Sequence, residues 1–221
     1  MERFEEFDLV GKDLYSLGLV DSSGGSLSVR SGDKILITRK NAMLAHLREE
    51  DILEVPLEGE GATDESASKE LPVHRAIYRE TAFNAVIAAN PPYSVAVSLT
   101  AENKIVPADQ KGQSFLRGVP VVRTRDKLNF NEMVKMLPSI YKSGYMVSVV
   151  REYGSFAVGA NLMEALQYTT GLERSCKIIA INKLMTPPEV KREPIRERRS
   201  AIPPSIGVMD RSRGYKRGLQ R

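Results

Sequence analysis

The chain has 221 residues, 42% of them hydrophobic, and is long enough to bury the core of one large domain. No apolar run approaches the roughly 18 to 20 residues that cross a bilayer, and the N-terminus lacks the pattern of a secretory signal. We therefore expect a cytoplasmic protein with no membrane partner. The single cysteine, Cys176, excludes an intrachain disulfide, and its apolar helical surroundings predict a buried thiol.

The net charge of +4 is unevenly distributed. From Lys183 onward the chain carries 11 Lys and Arg against 4 Asp and Glu, whereas the residues before it carry 21 against 24. The basic segment is rich in Pro, Arg and Gly and has no sustained periodicity, which indicates little regular secondary structure. We predict a body over 1–185 and a basic C-terminal tail over 186–221. Any binding of nucleic acid would use this tail, whose apolar residues suit an arm over a neighbouring subunit equally well.

The first half of the body alternates between helical and extended patterns. Apolar residues at helical spacing predict a helix over 3–18, which the sequence DSSGG then ends. Two alternating runs, SLSVR and KILITR, are joined by the turn SGD and predict a hairpin. Further expected elements are a strand at 51–57, a helix at 69–81, a buried strand at 85–90 and a helix at 92–100.

The second half of the body continues this alternation. We expect strands in VPVVR, MVSVV and GSFAVG, with a helix over 129–142 between the first two. A long amphipathic helix ends the body, and Asn161 is its expected N-cap. The predicted fold class is therefore α/β, a sandwich in which helices flank a mixed, largely antiparallel sheet.

Three stretches, read in order, resemble the class II aldolase/adducin family: DSSGGSLSVRSGDKILITRK (21–40), SKELPVHRAIYRE (68–80) and AVIAANPPYSVAVSL (85–99). The resemblance covers roughly residues 4–185 and implies the α/β fold of that family. It also implies a carbon–carbon lyase that acts on a sugar phosphate. Family enzymes hold a zinc ion on three histidines, whereas this chain has two histidines in total.

The resemblance implies an anion pocket near the predicted hairpin. In the family, a glycine-containing turn binds the phosphate through backbone N–H groups, because glycines allow successive amides to converge on one anion. Two lysines replace small polar residues of the family pattern. They would strengthen the binding of a phosphate or carboxylate, unless they are solvated surface residues. The implied ligand-binding residues are Ser23, Gly25, Ser26, Lys40, Asn41, Ser68 and Lys69.

Two residues are implied to be catalytic. Glu70 matches the family glutamate that moves a proton at the reacting carbon, a role that requires a partly buried carboxylate. Lys111 lies in the region where the family often has a catalytic tyrosine from the neighbouring subunit. His74 follows Glu70 by four residues on the same helical face, and we expect it to be a hydrogen-bonded structural residue. His46 is assigned no role.

The family's metal ligands correspond to residues that do not suit zinc. The paired histidines fall on Ala88 and Asn90, and the third histidine falls on Tyr153. Alanine has no lone pair to offer, and neutral Asn and Tyr are poor zinc ligands beside imidazole. We therefore expect no zinc at this position and assign no cofactor.

Three functions remain open. The first is a lyase or isomerase for a phosphorylated or carboxylated sugar, in which Lys40, Lys69 or Lys111 replaces zinc by its charge or through a Schiff base. The second is a noncatalytic relative, as in the adducin head, with a role in assembly or regulation. The third assigns the function to the basic tail, which would bind nucleic acid or an acidic surface.

One structural feature would separate the first two functions. A lysine amine within hydrogen-bond reach of Glu70 would favour the enzyme, whereas a pocket filled by Tyr153 or Tyr93 would favour the noncatalytic protein. Family members commonly form tetramers with active sites between subunits, so the resemblance also implies a homo-oligomer.

Overall fold

A computed structural model of the chain describes residues 2–125 and 130–186. The predicted tail lies outside these ranges from residue 187 onward. None of the helices within the two ranges is long and apolar enough to cross a membrane. The described residues form one eight-stranded sheet with helices on both faces, which confirms the predicted α/β fold class.

The sheet is mixed and mostly antiparallel. Its strands are β1 (Ser26–Ser31), β2 (Lys34–Thr38), β3 (Ile52–Pro56), β4 (Ala85–Ala89), β5 (Lys104–Ile105), β6 (Val119–Val122), β7 (Val147–Val150) and β8 (Gly154–Gly159). They follow the order β3-β2-β1-β4-β8-β7-β6-β5 across the sheet. Strands β6 and β7 run parallel, while the other described strand pairs are antiparallel.

The helices form one layer on each face of the sheet. They are α1 (Glu2–Ser16), α2 (Leu71–Glu80), α3 (Pro92–Thr100), α4 (Gln110–Leu116), α5 (Phe130–Lys142) and α6 (Leu162–Met185). Side chains of α1, α3, α4 and α6 pack in one core, and side chains of α2 and α5 pack in the other. Strand β4 contributes Ile87 to the first core and Ala88 to the second, because successive strand residues point to opposite faces. Both faces of β4 are therefore buried.

Local sequence patterns correctly predicted most of these elements. The hairpin β1–β2 forms around Gly32, and the side chain of Asn161 caps α6 by accepting a hydrogen bond from Glu164 N at 2.8 Å. Cys176 is fully buried in α6, as predicted. Strand β5 and helix α4 were not predicted. Two and seven residues are too short to establish a periodicity.

Candidate functional site

A small pocket lies where four segments of the chain converge. These segments are the turn before β1, the start of α2, the end of β4 and the turn between β7 and β8. The pocket has a volume of about 120 Å³ and is lined by Gly24, Gly25, Lys69, Glu70, Ala88, Ala89, Asn90 and Tyr153. The residues matched above to the family glutamate and to the three metal ligands therefore meet in one place.

Glu70 is the central carboxylate of this pocket. It is 3% exposed and immediately precedes α2. The Ser68 hydroxyl donates to Glu70 Oε2, and the Tyr153 hydroxyl donates to Oε1. The Lys69 ammonium lies 4.0 Å from Oε1, and its side chain is 54% exposed. Two hydroxyl donors thus hold the buried carboxylate, while a solvent-facing cation stands beside it.

Tyr153 reaches Glu70 from the turn between β7 and β8. Its ring packs against Phe156, with centroids 6.2 Å apart, and meets the Phe130 ring edge-on at 6.1 Å. Lys69 Nζ lies 5.8 Å from the centre of the Tyr153 ring, within cation–π range. Burial raises the pKa of Tyr153, and the adjacent Glu70 carboxylate raises it further. The phenol therefore stays protonated at neutral pH and acts as a hydrogen-bond donor.

Two glycines form the opposite wall of the pocket. Gly25 has φ +85°, a conformation that favours glycine, and a Cβ there would lie 2.6 Å from Val20 Cγ1. A Cβ on Gly24 would lie 2.9 Å from Asn90 Oδ1. That amide oxygen is buried and has no hydrogen-bond partner within the described ranges. Asn90 therefore presents a free acceptor beside the pocket, suited to a hydroxyl or N–H group of a ligand.

Ser23 and Ser26 use their hydroxyls elsewhere. Ser23 donates to Asp21 Oδ1 through its backbone N–H at 2.8 Å and through its hydroxyl at 3.2 Å. Ser26 is fully buried, and its hydroxyl lies 3.2 Å from His74 Nε2. Neither residue lines the pocket, although both were implied to bind the ligand. The adjacent Gly25 does line it.

The end of β2 runs beside the segment that leads into α2. Ser68 N donates to Thr38 O at 3.0 Å, and Lys40 N donates to Ser66 O at 2.9 Å. The side chains of Lys40 and Asn41 are exposed and do not line the pocket. Ser68 is buried and contributes through its hydrogen bond to Glu70.

Lys111 lies on α4, away from the other predicted site residues. It lines a separate cavity of about 860 Å³, whose wall also includes Asp109 and Arg174. Asp109 caps α4 by accepting from Gly112 N at 2.8 Å, and it also accepts from the Ser175 hydroxyl at 2.8 Å. Within one chain, the structure does not bring Lys111 into the Glu70 pocket.

His74 is buried and hydrogen-bonded, as predicted. It is fully buried, with Nδ1 2.6 Å from the Ser28 hydroxyl and Nε2 3.2 Å from the Ser26 hydroxyl. Burial lowers the pKa of His74 to about 4, although the nearby Glu70 charge acts in the opposite direction. The imidazole is therefore neutral at physiological pH, and both of its nitrogens contact serines.

The residues around this pocket do not fit a zinc ion. The three positions matched to the family ligands carry the methyl group of Ala88, the amide of Asn90 and the protonated phenol of Tyr153. Glu70 supplies the only carboxylate of the lining, and both of its oxygens accept hydrogen bonds. Nowhere in 2–125 or 130–186 do three His, Cys, Asp or Glu residues form a group that could hold a metal.

From the sequence, Asn90 was matched only to a metal ligand, and Tyr153 was matched to a metal ligand and considered as a side chain that could fill the pocket. Among the residues that the structure describes, Asn90 offers an unpartnered acceptor and Tyr153 donates to Glu70. In the sequence, the feature that pointed to the site was the match of both residues to ligand positions in the family pattern. Their hydrogen-bond partners depend on contacts between distant segments.

Comparison with known proteins agrees with the fold. Residues 5–180 match the class II aldolase and adducin N-terminal domain. The crystal structure of L-fuculose-1-phosphate aldolase from Thermus thermophilus is similar, with 35% identity, a TM-score of 0.75 and coverage of 81% of this chain and 93% of that one.

Two further relatives extend the comparison. An L-fuculose phosphate aldolase of Methanocaldococcus jannaschii is 28% identical over 182 residues, which are 82% of this chain and 97% of the relative. A 3-oxo-tetronate 4-phosphate decarboxylase of Pectobacterium atrosepticum is 27% identical over 181 residues, covering 78% of this chain and 81% of the relative. The chain therefore belongs to the class II aldolase and adducin N-terminal domain family.

Proposed function

We propose that this protein binds a small phosphorylated or carboxylated sugar-like ligand in the Glu70 pocket and transfers a proton at carbon without zinc. The observation that carries the proposal is the environment of Glu70. Its carboxylate is 3% exposed, accepts hydrogen bonds from Ser68 and Tyr153, and lies 4.0 Å from the Lys69 ammonium. A buried carboxylate beside a cation and a neutral donor suits proton transfer next to a carbonyl group.

The first proposed step moves one proton and shifts two electron pairs. Glu70 takes the proton from the carbon next to the ligand carbonyl, and the C–H electrons form a carbon–carbon double bond while the carbonyl oxygen becomes negative. Lys69 stabilises that oxygen by its charge, and the Tyr153 hydroxyl, whose single proton faces Glu70 before the reaction, turns to donate to that oxygen once Glu70 is protonated. Returning the proton to the former carbonyl carbon, while the hydroxyl proton of the deprotonated carbon moves to the negative oxygen, completes an isomerisation. In aldol cleavage, Glu70 instead accepts the hydroxyl proton of the carbon that becomes the aldehyde, the electrons of the broken carbon–carbon bond form the enediolate, and Glu70 returns the proton to the enediolate carbon.

Recognition of the ligand would use the remaining walls of the pocket. The Gly24 and Gly25 backbone allows close approach of the ligand, and Lys69 supplies positive charge. Asn90 Oδ1 accepts a hydrogen bond from a ligand hydroxyl. The L-fuculose phosphate aldolases and the 3-oxo-tetronate 4-phosphate decarboxylase described above support a phosphorylated ligand. Lys40 and Asn41 would join the binding site only if their exposed side chains reached over the ligand.

Solvent exchange tests the proposed proton transfer directly. We would incubate the purified protein in D2O with dihydroxyacetone phosphate or ribulose 5-phosphate and follow loss of the C–H signal by NMR, with EDTA and separately with added zinc. The proposal predicts exchange that EDTA does not abolish and that the isosteric variant Glu70→Gln loses. Glu80→Gln is the matched control, because Glu80 is exposed and pairs with Lys142 at 2.7 Å.

Two outcomes would contradict this proposal. Exchange that requires stoichiometric zinc would overturn the zinc-free reaction and the assignment of Ala88, Asn90 and Tyr153. Failure of every sugar phosphate to bind, measured by calorimetry on the same preparation, would remove the ligand-binding function altogether.

A noncatalytic, adducin-like function is the alternative. The observation in its favour is that the Tyr153 hydroxyl already engages Glu70 Oε1, in a pocket of only about 120 Å³. In addition, Lys69 lies 4.0 Å from Glu70, beyond hydrogen-bond distance. Binding of a sugar phosphate without any proton exchange would favour this alternative, and the role would then be assembly or regulation.

Assembly and the tail complete the proposal. We propose a cytoplasmic homo-oligomer, a tetramer by analogy with the family, in which Lys111 of one subunit approaches the pocket of the next. Light scattering measures the oligomer number, and Lys111→Ala should slow exchange if the lysine acts across the interface. Residues 186–221 are proposed to be a basic tail that does not belong to the aldolase-like domain over 1–185. Salt-sensitive binding of nucleic acid by the full chain would support a nucleic-acid-binding function of the tail.

A further inference from the structure

A second cavity adjoins the Glu70 pocket and is rich in arginine. It has a volume of about 550 Å³ and is lined by Arg123, Thr124, Arg125, Met133, Arg151, Glu152 and Tyr153. Tyr153 lines both spaces, so the two share a wall. Three guanidinium groups and one carboxylate give this lining a net positive charge. No residue of this arginine-rich cavity other than Tyr153 was considered from the sequence.

The sheet places two of these arginines side by side. Strands β6 and β7 are parallel, with Val122 paired to Val150, and Arg123 and Arg151 are the residues that follow this pair. Arg151 N donates to Val122 O at 2.9 Å, which continues the pairing beyond the strands. The two cationic side chains therefore start from neighbouring strand ends at the same edge of the sheet.

Both guanidinium groups are anchored at the C-terminal end of α3. Arg123 Nη2 donates to Ala101 O at 3.2 Å and to Glu102 O at 2.6 Å, and Arg151 Nη2 donates to Leu99 O. These bonds use one nitrogen of each group. A guanidinium has five N–H donors, so within residues 2–125 and 130–186 most donors of both arginines remain for another acceptor. The carbonyls thus hold two like charges in place before any ligand arrives.

We propose that the arginine-rich cavity binds a carboxylate at the far end of the ligand whose reacting carbon lies at Glu70. This inference rests on the proposed function and narrows its substrate class to sugar-acid phosphates, which carry one anionic group at each end. The planar fork of a guanidinium matches a carboxylate with two parallel hydrogen bonds. A ligand that extends past Tyr153 from the Glu70 pocket into the arginine-rich cavity would place one anionic group near Lys69 and the other beside Arg125 and Arg151.

Binding of a matched pair of compounds tests the proposal. 4-Phosphoerythronate and erythritol 4-phosphate have the same four carbons and the same phosphate, and differ in a carboxylate against a CH2OH group. We expect calorimetry to show that the wild-type protein binds the acid at least about tenfold more tightly than the alcohol, because charge-assisted hydrogen bonds are stronger than neutral ones. The preference should weaken as salt is raised.

Single substitutions locate the carboxylate. Arg125→Gln and Arg151→Gln should each reduce the preference for the acid to about threefold or less. The ratio of the two affinities is the readout, because general damage to the fold weakens the binding of both compounds. Arg48→Gln is the matched control, since Arg48 is 76% exposed and pairs with Glu50 outside this cavity. This control should retain the full preference.

The different failures are distinguishable. If neither compound binds, the proposed anion pocket at Glu70 is wrong, and this inference falls with it. If both bind equally, the pocket stands and the carboxylate site is overturned. A preference for the acid that survives both Arg125→Gln and Arg151→Gln also overturns it, because the carboxylate would then lie elsewhere.

Discussion

The Tyr153 hydroxyl donates a hydrogen bond to Oε1 of Glu70, so a turn between two strands holds the carboxylate at the start of a helix. Tyr153→Phe removes this donor and leaves a buried charge with one partner fewer. Because bonds to charged groups contribute about 1.5–3 kcal/mol, we expect the free energy of unfolding to fall by that amount. Urea denaturation measures it. Tyr15→Phe, at an exposed position of α1, should change little, and an unchanged midpoint for Tyr153→Phe would contradict this bond.

The buried imidazole of His74 makes stability depend on pH. Its pKa is about 4 in the folded chain, because burial disfavours the charged form, against about 6.5 when unfolded. The unfolded state therefore binds more protons between these values. The contribution is fully present above pH 6.5 and is lost as pH falls toward 4, on the order of 3 kcal/mol in all.

Unfolding in urea between pH 4.5 and 7.5 would measure this effect. His74→Asn should flatten the dependence over pH 4.5 to 6.5, whatever its effect on the absolute stability. His46→Asn is the matched control, because His46 is exposed and is the only other histidine of the chain. A slope that persists in His74→Asn would assign the dependence to another group.

Two glycines with positive φ allow the free-energy cost of backbone strain to be measured separately from the cost of steric contact. Gly18 has φ +67° and nothing within 4 Å of an added Cβ, whereas at Gly25 a Cβ would lie 2.6 Å from Val20 Cγ1 and 3.0 Å from Ala88 O. Gly18→Ala should cost about 1–2 kcal/mol of unfolding free energy from the left-handed conformation alone. Gly25→Ala should cost about 1–3 kcal/mol more, through overpacking.

The same pair tests the pocket wall. Gly25→Ala should also weaken sugar-phosphate binding, because Gly25 lines the pocket, while Gly18→Ala should not. Thermal unfolding and calorimetry on both variants provide the two readouts. Equal destabilisation by the two substitutions would show that the Gly25 contacts relax without loss.

Cys176 should be inert in the native protein. Its side chain is fully buried in α6, and burial raises the pKa of the thiol to about 12. At pH 8 the thiolate fraction is then on the order of 10³-fold lower than for a free cysteine. Reaction of the thiol with Ellman's reagent should require unfolding of the protein. The reaction should therefore be fast in concentrated urea and slow in buffer. Rapid native labelling would contradict the burial of this residue.

Local patterns were sufficient for much of the fold. The alternation in GSFAVG predicted β8, and Asn161 marked the start of α6, because periodicity and capping depend on residues within a few positions of each other. The same patterns failed for α4, whose seven residues include Gly112. A short helix of this kind depends on packing and on its Asp109 cap rather than on an apolar repeat.

By itself, the sequence determined most of the elements other than β5 and α4, the family pattern and the position of Glu70 at the start of a helix. Only the tertiary structure decided which side chains share the pocket. Ser26, next to Gly25, directs its hydroxyl to His74 in the core, whereas Tyr153, which is 83 residues from Glu70, donates to that carboxylate. The reason is physical. Contacts over such separations follow from strand order and the packing of both faces of the sheet, which no local repeat of residues encodes.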